Sequence, residues 1–524
     1  MIRTAISLIC VLAGVIGACG GNLVILHTND THSAIDPDAS GAGGVLQRKA
    51  VIDSVRAAEK NVVLVDAGDV VQGTLFFKFF KGDVEYPLMN MMGYDIQILG
   101  NHEFDNGMAD LAAHARTLDA ELLSANYDMT GTPLEGLYKP YAIREFDGRR
   151  VGFIGINIDP SSIIASANYE GMGFKDVIPT ANALAADLKR NHGCDLVVAV
   201  SHIGAVKEND KTIDYELAAA SSDIDVIIGG HSHTLILPGG GTPDTPDLVM
   251  NADGRPVLVT QTGRYGKYLG YIDIDLDALD RQTPADFVYR LIPVTDRFPQ
   301  ESLDSRMAGF IAPYRERLTA VDHHVIGRSD RGMTAHDRAG AYVNWAADFA
   351  SQYGAMKADS LRAAGMDISP VDFGMMNVGG IRHDMPAGDV TEGLILATFP
   401  FSNHMVLSRI KGSDFIEAMR VAASKGGEAI SDELRVLTDG EGHLVRVLLN
   451  GEEMDPEKYY VMSTIDYLAW GNDDFVSLAD GEVIWRDEPE MSAPMMRYIN
   501  GLTRRGLPLD GDPRPRFVKE VVIP

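Results

Sequence analysis

Five short apolar runs in the first half of the chain are each followed at once by side chains that commonly bind metals. The runs are typical of buried strands, and they alternate with helical stretches, which predicts an α/β layered domain. Ligand pockets in such sheets lie beyond the carboxyl ends of the strands, so we expect the polar segments to converge there. These segments are residues 27–32, 66–69, 100–105, 201–202 and 229–233.

The residue types in these segments fit a pair of divalent metal ions. Two ions about 3.5–4 Å apart can clamp a phosphoryl group and lower the pKa of a bound water. A carboxylate is needed between them, and Asp69 is the candidate. Mixed imidazole and carboxylate ligands favour Zn, Mn, Fe or Co over an all-oxygen Mg or Ca site. A single Asp-x-His is more often a capped turn than a ligand pair, so the prediction depends on all five segments occurring in order.

The net charge of the chain restricts its partners. Lys and Arg number 46 and Asp and Glu 74, which gives a formal charge of −28. An acid-rich surface repels phosphate backbones, so a protein that coats nucleic acid polymers is not expected. A small anionic substrate would need metal ions or a local arginine cluster to attract it.

The N-terminus has the pattern of an export signal. Arg3 is followed by an apolar stretch at 4–18 that is too short to span a bilayer comfortably. An apolar residue and two small ones precede Cys19, which resembles a bacterial lipobox and predicts lipidation of Cys19. The alternative is an ordinary signal peptide in which Cys19 is incidental. Either way we expect an exported protein, periplasmic or at the cell surface. If Cys19 is lipidated, the lipid anchor would be its only contact with the membrane.

The five segments resemble the motifs of calcineurin-like metallophosphoesterases. More narrowly, LHTNDTH at 26–32 and GNHEFD at 100–105 resemble the 5′-nucleotidase and UDP-sugar hydrolase family. The resemblance covers nearly the whole mature chain. It implies an α/β fold in which a four-layer metallophosphoesterase β-sandwich with flanking helices is joined to a second, mixed α/β substrate-binding domain.

The resemblance also implies a set of site residues and two divalent metal ions, with zinc, manganese or cobalt favoured. One metal would be held by Asp30, His32, Asp69 and His233, and the other by Asp69, Asn101, His202 and His231. His102 and Asp105 would form a catalytic dyad, in which His102 stabilises charge on the phosphoryl oxygens or leaving group and Asp105 orients it. The alternative is that His102 supports the site without a catalytic role.

The second half of the chain carries a weaker motif, NVGGIR at 377–382. Glycines beside an arginine let backbone and guanidinium approach an anion closely. By resemblance, Arg382 would contact the substrate and Asn377 its nucleoside part, while Phe401 and Phe475 would be the walls of a base-stacking clamp. A core position is the alternative for Phe401. Such stacking tolerates any base.

Three departures from the family pattern affect the predicted substrate preference. The family's GNL near the start of this domain is VNW at 343–345, and its GGDG loop is GNDD at 471–474. An upstream arginine that contacts substrate in relatives has no direct match. Arg338 is the nearest candidate, and His336 occupies the aligned position.

We therefore predict a lipoprotein-type signal peptide at 1–18, a metallophosphoesterase domain at 20–298, a helical linker at 299–324 and a substrate domain at 325–524. The predicted reaction is hydrolysis of nucleoside 5′-monophosphates to nucleoside and phosphate by metal-activated water. Alternatives within the family are a UDP-sugar hydrolase, a 2′,3′-cyclic nucleotide phosphodiesterase with 3′-nucleotidase activity, or a thiosulfate-ester hydrolase, which the aromatic pair disfavours. The remote alternative is a non-catalytic surface binding protein.

Overall fold

The computed structural model describes residues 21–520 except 162, 208–210, 241, 243, 280–286 and 336. The predicted signal peptide, Cys19 and His336 therefore lie outside the described residues. Among the residues described, no helix combines the length and the hydrophobicity that crossing a bilayer requires.

The first domain contains two six-stranded sheets. In spatial order, the strands of the first sheet are Phe287–Pro293, Tyr268–Asp275, Asn22–Thr28, Asn61–Asp66, Ile96–Ile98 and Glu121–Leu123. Those of the second sheet are Leu248–Met250, Pro256–Thr260, Val226–Ile228, Leu196–His202, Arg149–Asn157 and Tyr141–Phe146. The strands that precede the metal-type segments run parallel to one another within each sheet, so their carboxyl ends lie on the same side.

The two sheets pack face to face, and the apolar runs explain why. In strand Asn22–Thr28, Leu23 and Ile25 belong to an apolar cluster shared by both sheets, whereas Val24 and Leu26 pack with helices on the outer side. Because side chains alternate across a strand, an unbroken apolar run fits a strand covered on both faces. A third cluster joins the second sheet to its own helices. These four layers confirm the predicted fold class.

Helices cover the outer faces of the sheets and fill the connections between strands. They are Val45–Ala58, Leu75–Phe80, Glu85–Met92, Met108–Ala115, Val177–Arg190 and Asp214–Ala220. Shorter 3₁₀ turns occur at His102–Phe104, Ser166–Asn168 and Gln300–Ser302, and a two-stranded ribbon pairs Tyr127–Asp128 with Gly173–Phe174.

Helix Ser305–Asp322 lies within the predicted linker. The Asp304 carboxylate accepts a hydrogen bond from Met307 N at 2.9 Å, which caps the first turn. Met307, Ile311 and Leu318 then pack into the cluster that covers the first sheet. The connector is therefore anchored to the first domain.

The second domain is also mixed α/β. Its five-stranded sheet has the order Ala429–Ile430, Phe373–Met376, Tyr459–Ile465, His404–Lys411 and Glu482–Glu490. A four-stranded sheet has the order Glu452–Glu453, Leu444–Leu449, Leu434–Thr438 and Phe517–Lys519, and Val325–Ser329 pairs with Gly388–Thr391. The helices are Ala341–Ala363, Glu392–Thr398, Gly412–Ser424, Asp466–Ala469 and Ser492–Arg504, with 3₁₀ turns at Val378–Gly380 and Val476–Asp480.

The long helix Ala341–Ala363 packs closely on the five-stranded sheet. A Cβ atom at Gly374 would lie 2.5 Å from Ser351 N, so the sheet accepts the helix at this distance only with glycine there. One apolar cluster then joins this helix to strands of both sheets. The domain thus has a core of its own, separate from the three layers of core in the first domain.

Candidate metal centre and substrate cleft

The structure brings the seven predicted metal ligands together beyond the carboxyl ends of strands from both sheets. Those contributed by the first sheet are Asp30, His32, Asp69 and Asn101. Those contributed by the second sheet are His202, His231 and His233. The stacking of the sheets, rather than any single loop, therefore assembles this set.

One group of ligand atoms consists of Asp30, His32 and His233, and its atoms lie within 4.8 Å of one another. His32 Nε2 lies 2.9 Å from His233 Nε2, and His233 Nε2 lies 3.5 Å from Asp30 Oδ1. Three lone-pair donors that face one small space have the arrangement needed to hold a metal ion.

A second group consists of Asp69, His202 and His231, again within 4.8 Å. His202 Nε2 lies 3.2 Å from Asp69 Oδ2, and Asn101 Oδ1 lies 2.9 Å from His231 Nδ1. The same Asp69 oxygen lies 3.9 Å from His32 Nε2 in the first group. Asp69 thus stands between the two groups, where a bridging carboxylate would have to lie.

The ligand-bearing turns have an unusual backbone. Five of the ligands have φ angles between 46° and 75°, namely Asp30, His32, Asp69, His231 and His233. Non-glycine residues in the left-handed region cost of order 1–3 kcal/mol each, and such strain persists where the surrounding structure imposes it, often at active sites. The packing around these turns is also tight, because a Cβ at Gly100 would lie 2.2 Å from Asp69 Oδ1.

Asn29 holds the Asp30 carboxylate in place. Its Nδ2 donates to Asp30 Oδ2 at 2.6 Å, and its Oδ1 accepts from Thr262 N at 2.8 Å. His231 N also donates to Asp30 Oδ2, at 3.0 Å. Asp30 is thereby tied to two loops of the second sheet before any metal binds.

Glu103 holds the backbone around Asp69 in place. Its buried carboxylate accepts hydrogen bonds from Asp69 N at 3.0 Å, Val70 N at 2.8 Å and Gly100 N at 2.6 Å. Sequence reasoning assigned no role to Glu103 or Asn29. Their position inside the ligand motifs was the available signal, because an ionisable or amide side chain buried beside a ligand normally has a hydrogen-bonding task.

Three of the four candidate histidine ligands are electrostatically suited to metal binding; the exception is His202, because burial would lower its pKa but the Asp69 carboxylate raises it to about 10. Burial lowers the pKa of His233 to about 2 and that of His231 to about 3, and it also lowers the pKa of His32. These rings are therefore neutral at pH 7 and keep a lone pair for a ligand bond. A metal ligand must be deprotonated, so this state favours binding.

The carboxylates complete the fit. Burial raises the pKa of Asp30 to about 7. Burial would also raise the pKa of Asp69, but the imidazoles of His202 and His102 hold it well below its usual range. Buried carboxylates and imidazoles form a donor set that a divalent transition metal satisfies, because its charge offsets that of the carboxylates.

His102 lies against this centre and is oriented by Asp105. The distance from His102 Nδ1 to Asp105 Oδ2 is 3.0 Å, and His102 N donates to Asp69 Oδ1 at 2.8 Å. Burial would lower the pKa of His102, but the Asp105 and Asp69 carboxylates raise it. His102 also forms a third possible metal-binding group with His32 and Asp69.

A cleft of about 840 Å³ separates the metal centre from the second domain. Its metal-side wall includes Asp69, Asn101 and His102. Of the five predicted substrate residues, Arg338, Asn377, Arg382 and Phe401 line the opposite side. Ligand pockets commonly measure roughly 300–1,000 Å³, so the cleft has room for a nucleotide-sized molecule.

Two of these residues reach the metal centre itself. The Phe401 ring centroid lies 5.9 Å from that of His102, with 28° between the ring planes. After burial, the Arg382 guanidinium is the largest influence that lowers the pKa of His233. Phe401 and Arg382 thus bring an aromatic face and a positive charge from the second domain to the edge of the metal site.

Phe475 requires a correction. The residue is 0% exposed and belongs to the core cluster of the second domain, with Lys425 Nζ 5.2 Å from its ring centroid. It therefore has no face open to the cleft in this structure and cannot form the predicted second wall there. Tyr467 and Trp470, from the same part of the chain, line the cleft instead, and Trp470 is 50% exposed.

Asn377 is fixed by the loop that departs from the family pattern. Its Nδ2 donates to Asp473 Oδ2 at 2.7 Å, while its Oδ1 is buried and has no hydrogen-bond partner among the described residues. Asp473 and Asp474 have φ angles of 56° and 65°. Lys425 Nζ lies 2.9 Å from Asp474 Oδ2, which offsets one of the two loop charges.

Arg338 lines the cleft but is already engaged within its own domain. Its Nη1 donates to Gly427 O at 3.0 Å and lies 3.4 Å from Glu428 Oε2. The neighbouring position His336, the other candidate, lies outside the described residues.

The lining of the cleft is far less acidic than the chain as a whole. Seven cationic side chains line it, namely Lys81, Lys207, Lys211, Arg338, Arg382, Lys425 and Arg486. The acidic ones are the six residues Asp69, Asp105, Glu428, Asp466, Asp473 and Asp474. The formal balance is 7 − 6 = +1, against −28 for the chain. Sequence reasoning found only two of these cations, because isolated lysines carry no motif.

Two family models match the chain. The model described as calcineurin-like phosphoesterase matches residues 23–235, and the model described as 5′-nucleotidase, C-terminal domain matches residues 325–480. The first range contains all seven metal-ligand candidates and the His102–Asp105 pair. The second contains all the candidate substrate residues.

Similar proteins are found over most of the chain's length. Protein UshA of Yersinia enterocolitica is 27% identical over 489 residues, which cover 87% of this chain and 86% of that protein. The trifunctional nucleotide phosphoesterase YfkN of Bacillus subtilis is 27% identical over 87% of this chain, which spans only 32% of that longer protein. The crystal structure of a 5′-nucleotidase precursor from Thermus thermophilus matches with a TM-score of 0.78 and 26% identity over 96% of this chain and 100% of that one.

Proposed function

The chain belongs to the 5′-nucleotidase family, in which a calcineurin-like phosphoesterase domain precedes a 5′-nucleotidase C-terminal domain. We propose that it hydrolyses nucleoside 5′-monophosphates to nucleoside and phosphate. Membership makes it a hydrolase of phosphoesters. The number of metal ions, the substrate and the site residues are parts of the proposal.

The metal centre would hold two divalent ions through the seven ligands. The residues for the first ion are Asp30, His32, Asp69 and His233, and those for the second are Asp69, Asn101, His202 and His231. Support comes from the position of Asp69 between the two groups. When bound, the ions would supply Lewis acidity that polarises the phosphoryl group and acidifies the attacking water.

His102 would act on the charge that develops during the reaction. Its Nδ1 is held by Asp105 at 3.0 Å, which leaves Nε2 for a phosphoryl oxygen or the leaving oxygen. A donor fixed in advance stabilises such charge without reorganisation, and removing one typically costs a factor of about 10² to 10³ in rate. Asp105 positions the ring and favours its protonated form.

The cleft would bind the rest of the nucleotide. Arg382 forms no ion pair with a carboxylate among the residues described, so its guanidinium remains for the anionic substrate. Phe401 would stack on one face of the base, and Asn377, which lines the same wall, would contact the nucleoside part. Trp470 takes the place of Phe475 as the candidate second aromatic contact.

The observation that carries this proposal is the opening of a seven-ligand centre into a cleft that also exposes an arginine and an aromatic ring from the second domain. A phosphate-release panel tests it. The chelated protein receives Zn, Mn or Co separately and is assayed with AMP, UDP-glucose, 2′,3′-cyclic AMP and p-nitrophenyl phosphate.

We expect AMP to give the highest kcat/KM with at least one metal, and full chelation to abolish turnover. A higher kcat/KM for UDP-glucose or the cyclic nucleotide would assign the protein to that alternative. Absence of turnover with any metal and any of the four substrates would contradict the proposal.

Export and lipid anchoring remain part of the proposal, since residues 1–20 lie outside the described residues. Expression in bacteria fed a clickable fatty acid tests the anchor. We expect the wild-type protein to be labelled and Cys19→Ser to be unlabelled but still exported. Export of an unlabelled wild-type protein would favour the ordinary signal peptide.

A further inference from the structure

One lysine of the metal-binding domain reaches across to the second domain beside the cleft. Lys78, in helix Leu75–Phe80, places its Nζ 2.5 Å from Glu490 Oε2 and 3.1 Å from Pro400 O. Its side chain is only 8% exposed, whereas that of Glu490 is 36% exposed. The ammonium is therefore largely withdrawn from water and is compensated by atoms of the other domain.

One acceptor belongs to the segment that carries Phe401, and the other lies against the end of that segment. Pro400 directly precedes Phe401, and Glu490 pairs with His404 where two strands of the second domain meet. Met491 N, next to Glu490, donates to Asn403 O at 2.8 Å. Lys78 therefore contacts the beginning of segment 400–403 directly and its end through Glu490.

The same segment presents the Phe401 ring to the metal centre, 5.9 Å from the His102 ring. We propose that Lys78 is a positioning residue that fixes segment 400–403, and with it the Phe401 ring, over His102 by bridging Pro400 O and Glu490. The inference rests on the proposed function only in assigning Phe401 to base binding. The bridge itself is independent of the substrate.

Two other contacts between the domains distinguish positioning from simple attachment. His383 Nε2 lies 2.9 Å from Gly73 O, and Tyr467 OH lies 3.4 Å from Ile163 O. Neither involves segment 400–403. Loss of the Lys78 ammonium should therefore leave the domains joined while releasing the segment that holds Phe401.

Lys78→Met tests the proposal, because it keeps the length of the side chain and removes its charge and donors. We expect kcat/KM for AMP to fall about tenfold, which is near the lower end of the loss expected for one hydrogen bond to a charged group. We expect kcat/KM for p-nitrophenyl phosphate to fall less than about threefold. Metal content should not change. Lys60→Met is the matched control, since Lys60 forms an equally short ion pair with Asp147 but is 76% exposed and belongs to the same domain.

Variants at both ends of the bridge distinguish loss of the bridge from general destabilisation of the protein. Glu490→Gln should reproduce part of the AMP-specific loss, and Lys78→Arg should retain most of the activity because it keeps the charge and donors. Equal losses on both substrates in Lys78→Met, or no loss on either, would overturn the proposal.

Hydrogen–deuterium exchange of peptides containing residues 400–405 gives a readout that does not need a substrate. Exchange should rise in Lys78→Met and remain at the wild-type level in Lys60→Met. If no nucleotide is turned over but this local increase is present, the proposed function fails and the positioning role stands. Unchanged exchange in Lys78→Met would refute the positioning role even if AMP is the substrate.

Discussion

The candidate metal centre and the candidate substrate cleft are built in different ways, although they face each other. The ligands of the metal centre follow strands of two stacked sheets, and their positions are set by backbone pairing and by buried supports such as Glu103 and Asn29. The cleft wall of the second domain is made mostly by loops and helix ends, whose side chains depend on local packing. Phe401 faces the cleft, whereas Phe475 is buried in the core.

The difference shows at which positions in a fold a sequence motif determines the geometry of its side chains. A ligand placed directly after a buried strand has few positions available, because the sheet fixes where the strand ends. A side chain on a loop can turn toward ligand or core with the same sequence. Changes at the metal centre should therefore affect every substrate, whereas changes in the cleft should affect substrates according to the parts they contain.

The largest effect is expected for Asp69→Asn. An amide cannot neutralise two cations, so we expect activity on AMP and on p-nitrophenyl phosphate to fall at least about a thousandfold and metal content to drop. Plasma emission spectrometry measures the metal. Asp53→Asn, on an exposed helix position paired with Lys49, is the control and should behave as wild type. Two bound ions with near-normal turnover in Asp69→Asn would remove the bridging role.

His102→Asn should have the next largest effect. If His102 acts on the developing charge, kcat should fall by about 10² to 10³ while KM and metal content change little. His443→Asn, at an exposed position, is the control. A KM rise with unchanged kcat would make His102 a binding residue. Loss of one metal ion would instead make it a ligand, through its group with His32 and Asp69.

Phe401→Ala should show that a change in the cleft, unlike a change at the metal centre, affects mainly substrates that carry a base. Stacking on one aromatic ring is worth roughly 1–3 kcal/mol per base, so kcat/KM for AMP should fall about ten- to a hundredfold. Turnover of p-nitrophenyl phosphate, which lacks a nucleobase, should fall much less. Phe79→Ala, at a 43% exposed ring in the first domain, is the control. Matching losses on both substrates would mean that Phe401 shapes the metal centre and does not read the base.

The same contrast explains how much could be predicted from the sequence. The α/β layering and the convergence of the five polar segments followed from apolar runs that end in polar motifs, because the carboxyl ends of parallel strands meet at one edge of a sheet. The four-layer arrangement and the seven individual ligands were predicted from the family resemblance. No role was predicted for the supports Asn29 and Glu103, because several of their partners are backbone groups of distant segments that only the fold brings near. Lys78 and the other cleft cations have no local pattern, and their roles depend on how the two domains meet.

Phe475 shows the limit of transferring a motif by position. The residue follows a loop in which Asp473 and Asp474 have left-handed φ angles, and that loop turns the phenyl ring into the core. The local sequence cannot distinguish a phenylalanine that stacks on a base from one that packs in the core, because both are apolar side chains after a turn. Only the path of the backbone decides, and here it brings Trp470 to the cleft instead.

Phe475→Leu is the mildest change and the sharpest test of that correction. Leucine keeps a core position apolar and fills most of its volume, so we expect the free energy of unfolding to fall by about 1 kcal/mol and kcat/KM for AMP to stay within about threefold of wild type. Urea titration measures the first quantity and steady-state kinetics the second. Trp470→Leu should show the reverse, with little change in stability at its half-exposed position and a selective loss on AMP relative to p-nitrophenyl phosphate. A tenfold AMP-specific loss in Phe475→Leu would mean that the ring leaves the core to stack on the base when nucleotide binds, because a leucine at a purely structural position has no means of distinguishing a substrate with a base from one without.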